Sequence, residues 1–555
     1  KIREVATMLY ILESLDADGC LLNPNFAESR EHTLDVVLHN QHLLQEIIDT
    51  AQSYQDGKTQ VQLQVISGSN RGDLKYDQSN SKQASLYKGP YFQQLIAFTT
   101  ALFEQLTKNG IPVQFHPFIM ADLYADLPPG TSVEKILNFW ANTVANGQLR
   151  KFLEGHSILG NPVWQEHENL LVQYYSQNFD PNIQHACWVF DESKITLLYA
   201  QMHMAACQAL NDPNARIIFN FRDDREDILT ELNEYFEKYP GLIPENMVLN
   251  LYQYNGTAKS KLFASIQGTG EVDRDYKNTI KSIANIFKQT KKNEMQNIET
   301  SELHANVRSW MKDTLAAVRL FDLEAIIRLI SYKDELERRN VPAAVVRAEQ
   351  ISSLLTPMLK FCNKIKADIP SMIHLYEYAY SLEKTDKTKA QAMYQLHRTL
   401  QKQFHDAIPK NLMTYLNKLE AKALHLKTEG KEEAAQVVST LHDELQWNAV
   451  SFFANCKGKT DRDIHDYVVS AEGSFRRAEK VLSTHRDYKD LALAIGLTII
   501  TLGTYAVVAG ISRWTIGRWN FFNKTDSHQL EQTGREIVAE AADTAIRVLP
   551  EFTPP

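Results

Sequence analysis

The sequence predicts an open α/β fold with a parallel sheet over residues 1–265, followed by an all-α region over 276–485. Three observations carry that prediction. Short β-prone runs alternate with longer helix-spaced segments in the first part, which is the pattern of βαβ units. Beyond residue 276 helical runs succeed one another with few β-like stretches, as in a bundle or array. The 555 residues also exceed what one ordinary core accommodates, so several domains are expected.

Taken in order, Met8–Leu15 is a short apolar run that stops at DADG, the first strand. Phe26–Ser53 has helical spacing, and Val61–Ile66 alternates as a strand before SGSN. Tyr91–Leu106 is helical and closes at Asn109-Gly110; Ile111–Met120 is the third strand. Ile195–Leu210 is a helix, Ile217–Phe221 a strand ending at RDDRED, Ile228–Tyr239 a helix and Met247–Tyr252 the fifth strand. Residues 121–185, with Pro128-Pro129-Gly130, are too long for a plain crossover and read as an inserted cap. In the rear region the helical runs are 301–332, 341–366, 386–404, 409–428, 431–453 and 460–484. Breaks are expected at Pro342, Pro370, Pro409 and Gly430, and YEYAY at 376–380 as bundle core. No fixed repeat aligns these runs, so a solenoid is not expected.

Leu491–Ile511 is 21 residues without a charge, flanked by Arg486 and Lys489 on one side and by Arg513 and Arg518 on the other. Trp514, Trp519, Phe521 and Phe522 come next, so membrane association is expected over 486–525, with a buried bundle helix as the alternative. Residues 526–555 form an acidic tail. The N-terminal stretch is too short and too charged for a secretory signal.

Charge is unevenly spread. Residues 1–260 carry 31 acidic and 18 basic side chains, a net −13, against 37 and 41, a net +4, in the remainder. An acidic front argues against nucleic acid and suits a metal-dependent site. Five dispersed cysteines without a CxxC pair exclude that type of zinc site and suit a reducing compartment.

The chemistry concentrates at three strand ends. Leu15-Asp16-Ala17-Asp18-Gly19-Cys20 closes the first strand, which puts Asp16 in the crevice where open α/β sheets bind ligands, with Gly19 allowing the turn. A calcium loop is excluded, because the preceding residues are strand-like and no Glu stands at the required distance. Ser67 stands after the second strand, where a hydroxyl and free N–H groups suit a phosphate oxygen; a turn former is the plain alternative. Asp223 and Asp224 stand after the fourth, a pair suited to a hard cation, or equally a helix cap with first-turn charges.

Together these stretches resemble the haloacid dehalogenase-like phosphohydrolase superfamily over residues 1–265. Its DxDG[TV] motif is matched by Asp16, Asp18 and Gly19, with Cys20 where Thr is usual. Its strand-end Ser or Thr is matched by Ser67, its helix-start Lys by Lys194, and its strand-end acidic pair by Asp223 and Asp224. The resemblance implies a Rossmann-like phosphatase domain over 1–275, with Asp16 as nucleophile, Asp18 as general acid and base, and Ser67 and Lys194 neutralising phosphate charge. It implies Mg²⁺ as cofactor, held by Asp16, Asp18 through its carbonyl, Asp223 and Asp224, with Arg225 and Asp227 in support.

SGSNR, PFIMADLYADLPPGTS and DDREDIL are also similar to phosphatase-type effectors that intracellular bacterial pathogens deliver through type IV systems. That likeness implies a host phosphoprotein substrate of the phosphotyrosine type, release into the host cytoplasm and a C-terminal secretion signal. The alternative is a silent copy of the fold whose helical domain binds a host protein or membrane.

Overall fold

In the computed structural model the central strand is β1 (Thr7–Leu15), buried on both faces, as expected of a near-continuous apolar run in a parallel sheet. The structure describes residues 7–16, 19–23, 35–69, 91–125 except 119, 130, 193–287 except 213 and 257, 300–453 except 340, 341 and 409, and scattered positions from 462 to 478. The cap at 121–185 falls outside them apart from 121–125 and Gly130, as do Asp18, the segment 491–511 and the tail. Among the described residues, no helix is long and apolar enough to cross a membrane.

Beside β1 run β2 (Thr59–Ser67) and β3 (Val113–His116) on one side, and β4 (Arg216–Asp223) and β5 (Met247–Gln253) on the other. These five strands are parallel; β6 (Lys261–Gln267) adds an antiparallel edge, giving the order β3-β2-β1-β4-β5-β6. Strand progression therefore reverses between β1 and β4, which opens a crevice at their carboxyl ends. Register places Leu15 beside Ser67 on one flank and Arg222 on the other. β6 was not expected: it is a mostly exposed edge strand whose apolar residues Leu262, Phe263, Ala264 and Ile266 do not alternate cleanly. The expected strand 111–120 shortens to four residues because Met120 already begins a helix.

One sheet face is covered by α1 (Gln41–Ser53) and α2 (Tyr91–Leu106), whose Leu43, Ile47, Leu95 and Phe98 pack with Leu9, Ile11, Leu63 and Val65. The opposite face takes α4 (Ile195–Gln208), which comes after the short α3 (Met120–Ala125) in chain order. Every residue of α4 from Ile195 to Ala206 is buried, as befits a helix that is apolar all round. Its buried amide Gln201 accepts from Ser14 Oγ (2.8 Å) and donates to the Ser67 carbonyl (2.7 Å), which ties α4 to β1 and β2. On the far side of α4, Tyr199 donates to Asp273 (2.8 Å) and His203 bridges the Asp273 N–H and the Leu242 carbonyl. His203 is thus packed, as a histidine on an apolar helix usually is. α5 (Glu226–Lys238) links β4 to β5.

The chain divides into two compact units, 1–358 and 359–555. The change in sequence character near 275 is therefore internal to the first unit, which also holds α6 (Tyr276–Phe287), α7 (Thr300–Leu320), α8 (Leu323–Arg339) and nearly all of α9 (Pro342–Lys360). The run 301–332 is two helices: Phe321 turns at φ +54°, and Asp322 then caps α8 by accepting from the Ala325 N–H (2.9 Å).

The second unit contains α10 (Ile369–Leu382), α11 (Lys387–Gln401), α12 (Lys410–Thr428) and α13 (Glu432–Phe453). Gly430 turns between α12 and α13 at φ +75°. The breaks expected at Pro342 and Pro370 fall between helices, with each proline in the first turn of the helix that follows, α9 and α10. Only part of YEYAY is core: Ala379 is buried, while Tyr380 is 63% exposed.

Candidate active site

β1 and β4 end side by side, and each runs directly into acidic residues. Asp16 is the first residue past β1, held by its N–H on the Arg222 carbonyl (3.0 Å) while its own carbonyl accepts from the Leu21 N–H (3.3 Å). Asp223 ends β4, and one of its carboxylate oxygens accepts from the Arg225 N–H (2.9 Å). Asp224 comes next and closes the group: one carboxylate oxygen from each of Asp16, Asp223 and Asp224 lies within 4.8 Å of the others. Sequence positions two hundred apart are so brought together by the β1–β4 pairing alone.

Gly19 makes this approach feasible. Its φ is +73°, and a Cβ there would lie 2.1 Å from an Asp224 carboxylate oxygen. The glycine thus serves both the turn and the close seating of Asp224. Cys20, at the position where Thr is usual in the resembled motif, is buried and its Sγ faces the Arg222 carbonyl (3.7 Å).

Lys194 enters from the opposite direction. It precedes α4 in a left-handed conformation, φ +61°, and its Nζ sits 2.6 Å from Asp16 Oδ1 and 2.6 Å from Asp223 Oδ2. A non-glycine residue held there costs of order 1 kcal/mol, which the two buried ion pairs offset. Burial opposes the charge on Lys194, but Asp16 and Asp223 outweigh it and raise its pKa. Burial likewise pushes Asp223 up, with Lys194 pulling against it and Asp16 adding to it. Asp224 is raised by burial and then by Asp223.

Ser67 is buried at the end of β2, next to Leu15 by register. Its hydroxyl oxygen accepts from the Ser69 N–H (3.2 Å). Gly68 brings the chain back against β1, its N–H on the Leu15 carbonyl (2.6 Å), where a Cβ would meet the Leu15 backbone. Arg225 and Asp227 differ from expectation: their side chains pair with each other (2.6 Å) and are 51% and 67% exposed, while the Arg225 N–H donates to Asp223. Asp18, the remaining predicted residue, lies outside the described residues.

Two features were missed from sequence. Gln201, an amide in the middle of a largely apolar helical run, was a readable sign of a buried anchor. Arg222, flanked by acids in FRDDRED, gave no such sign, because charged residues beside an acidic cluster are ordinarily solvated.

The donor set suits a hard divalent cation. All three ligand groups are carboxylates, and with Lys194 they leave two negative charges when ionised. Asp16, Asp223 and Asp224 would hold such an ion. Compared with known proteins, the chain matches no family model, no curated protein and no solved structure.

Proposed function

We propose that this chain is a Mg²⁺-dependent phosphohydrolase of the haloacid dehalogenase-like type, acting on a phosphate monoester through an aspartyl-phosphate. The observation that carries this reading is the convergence of Asp16, Asp223 and Asp224 within 4.8 Å, with Lys194 Nζ 2.6 Å from two of them, at the reversal point of a parallel sheet.

Lys194 fixes one carboxylate oxygen of Asp16 and leaves the other to attack. That oxygen forms a bond to phosphorus as the bond from phosphorus to the leaving oxygen breaks. Asp18 gives its proton to the leaving oxygen and later takes one from the water that cleaves the acyl-phosphate. Lys194 and the Ser67 hydroxyl meet the charge on the phosphoryl oxygens. A bound Mg²⁺ supplies the positive charge that lets a phosphate dianion approach the carboxylates.

The test is a phosphatase screen with Mg²⁺ over p-nitrophenyl phosphate, phosphotyrosine peptides and phosphoinositides, with Asp16→Asn alongside. The likeness to delivered effectors puts phosphotyrosine peptides first. Turnover is expected in the wild type, to vanish on chelation, and to fall roughly a thousandfold or more in Asp16→Asn. A folded Asp16→Asn protein as active as the wild type removes the nucleophile and with it the proposal.

A further inference from the structure

Behind the acid cluster, on the other face of the sheet, a network converges on one buried arginine. Arg222 directly precedes Asp223 on β4, so the two side chains point to opposite faces. Its guanidinium is 1% exposed. Nε donates to Glu13 Oε2 on β1 (2.9 Å), and Nη1 donates to Glu46 Oε1 on α1 (2.8 Å) and to Ser260 Oγ ahead of β6 (2.7 Å). The Ser260 N–H donates in turn to Glu46 Oε2 (2.9 Å), and the guanidinium lies over the Tyr252 ring on β5, 4.3 Å from its centroid. The same residue's carbonyl oxygen holds the Asp16 N–H.

A buried ionic group of this kind is not explained by stability, since apolar replacements of similar volume are often as stable. What it supplies is geometry. Any slip of β4 along β1 breaks the guanidinium contacts to Glu13, Glu46 and Ser260 together with the bond to Asp16. We propose that Arg222 is a positioning residue: its multidentate grip sets the height of Asp223 against Asp16, and so the bite of the cation site. This rests on the metal-site reading above and adds the residue that fixes its dimensions.

The test measures Mn²⁺ binding to the full chain by titration calorimetry and by the electron paramagnetic resonance of free Mn²⁺. Arg222→Met/Glu13→Gln removes the fully buried Arg222–Glu13 pair together, and Glu46, 18% exposed, keeps the Ser260 N–H. Its Mn²⁺ affinity is expected to fall about tenfold or more, the range typical of lost outer-shell support. Leu329→Ala, a buried helix substitution in the same unit, is the control; it is expected to lower stability and leave Mn²⁺ affinity unchanged. Arg222→Lys, which keeps the charge and loses the multidentate grip, is expected to fall between wild type and the double variant, and it decides the matter should the double variant fail to fold. Wild-type affinity in a folded double variant, or in Arg222→Lys, overturns the positioning role alone. A wild-type chain that takes up no Mn²⁺, or takes it up equally well as Asp223→Asn, overturns the metal-site reading and this inference with it.

Discussion

Gly19 and Asp224 meet so closely that Gly19 cannot take a Cβ unless Asp224 moves. Gly19→Ala adds strain at φ +73° and a methyl group where the Asp224 carboxylate lies. The expected result is a loss of about 1–2 kcal/mol in stability and a clear rise in the Mg²⁺ concentration for half-activation, read by denaturation and by metal titration. Unchanged metal dependence would separate Asp224 from the ion. His203 offers a residue-scale test of a different kind. Burial lowers its pKa from 6.5 to about 4. Between those values the unfolded chain binds the proton and the folded chain does not, so the stabilisation is complete above pH 6.5 and drains away as pH falls toward 4. Asp313, raised by burial to about 6, works in the opposite sense, losing stability as pH rises from 3.8. The informative comparison is therefore wild type against His203→Gln, whose amide can still donate to the Leu242 carbonyl. Any stability advantage of the wild type is expected to shrink by about 1–3 kcal/mol between about pH 7.5 and pH 5, measured by chemical denaturation.

At the scale of elements, strand ends were more legible than helix ends. DADG marks where β1 stops, and RDDRED marks the end of β4 to within two residues, since Arg222 and Asp223 still belong to the strand and are buried there. β6 was harder to read: it is an edge strand mostly in water, and its apolar residues, Leu262, Phe263, Ala264 and Ile266, break the alternation of a half-buried strand. Pro370 marks the break before α10, because proline is tolerated in the first turn of a helix and costly in its interior. The capping box just before it, Asp368 with Ser371, identifies the true start of α10. Asp368→Ala is expected to destabilise the second unit by about 1 kcal/mol, read from hydrogen exchange along α10; no change there would mean the cap contributes nothing. The break at Phe321 carried neither glycine nor proline, and only the Asp322 cap explains it.

Across the whole molecule, the acidic excess of residues 1–260 fits a fold that gathers three carboxylates around one lysine. The helical rear was legible as helical but not as two parts, since helix spacing does not reveal which core a helix joins. Each unit has its own core, Leu9–Phe98 side chains in one and Leu416–Leu445 side chains in the other. Leu441→Ala, deep in the second core, is expected to destabilise that unit by about 2–5 kcal/mol while hydrogen exchange in β1 and β4 stays as in the wild type. Faster exchange in those strands would mean the two units unfold together.

The central claim is that acids from two strand ends share one ion. Anomalous scattering from Mn²⁺-soaked crystals addresses it most directly. The account predicts a single peak bounded by the carboxylates of Asp16, Asp223 and Asp224. Fully occupied Mn²⁺ elsewhere, with that hollow empty, would contradict it.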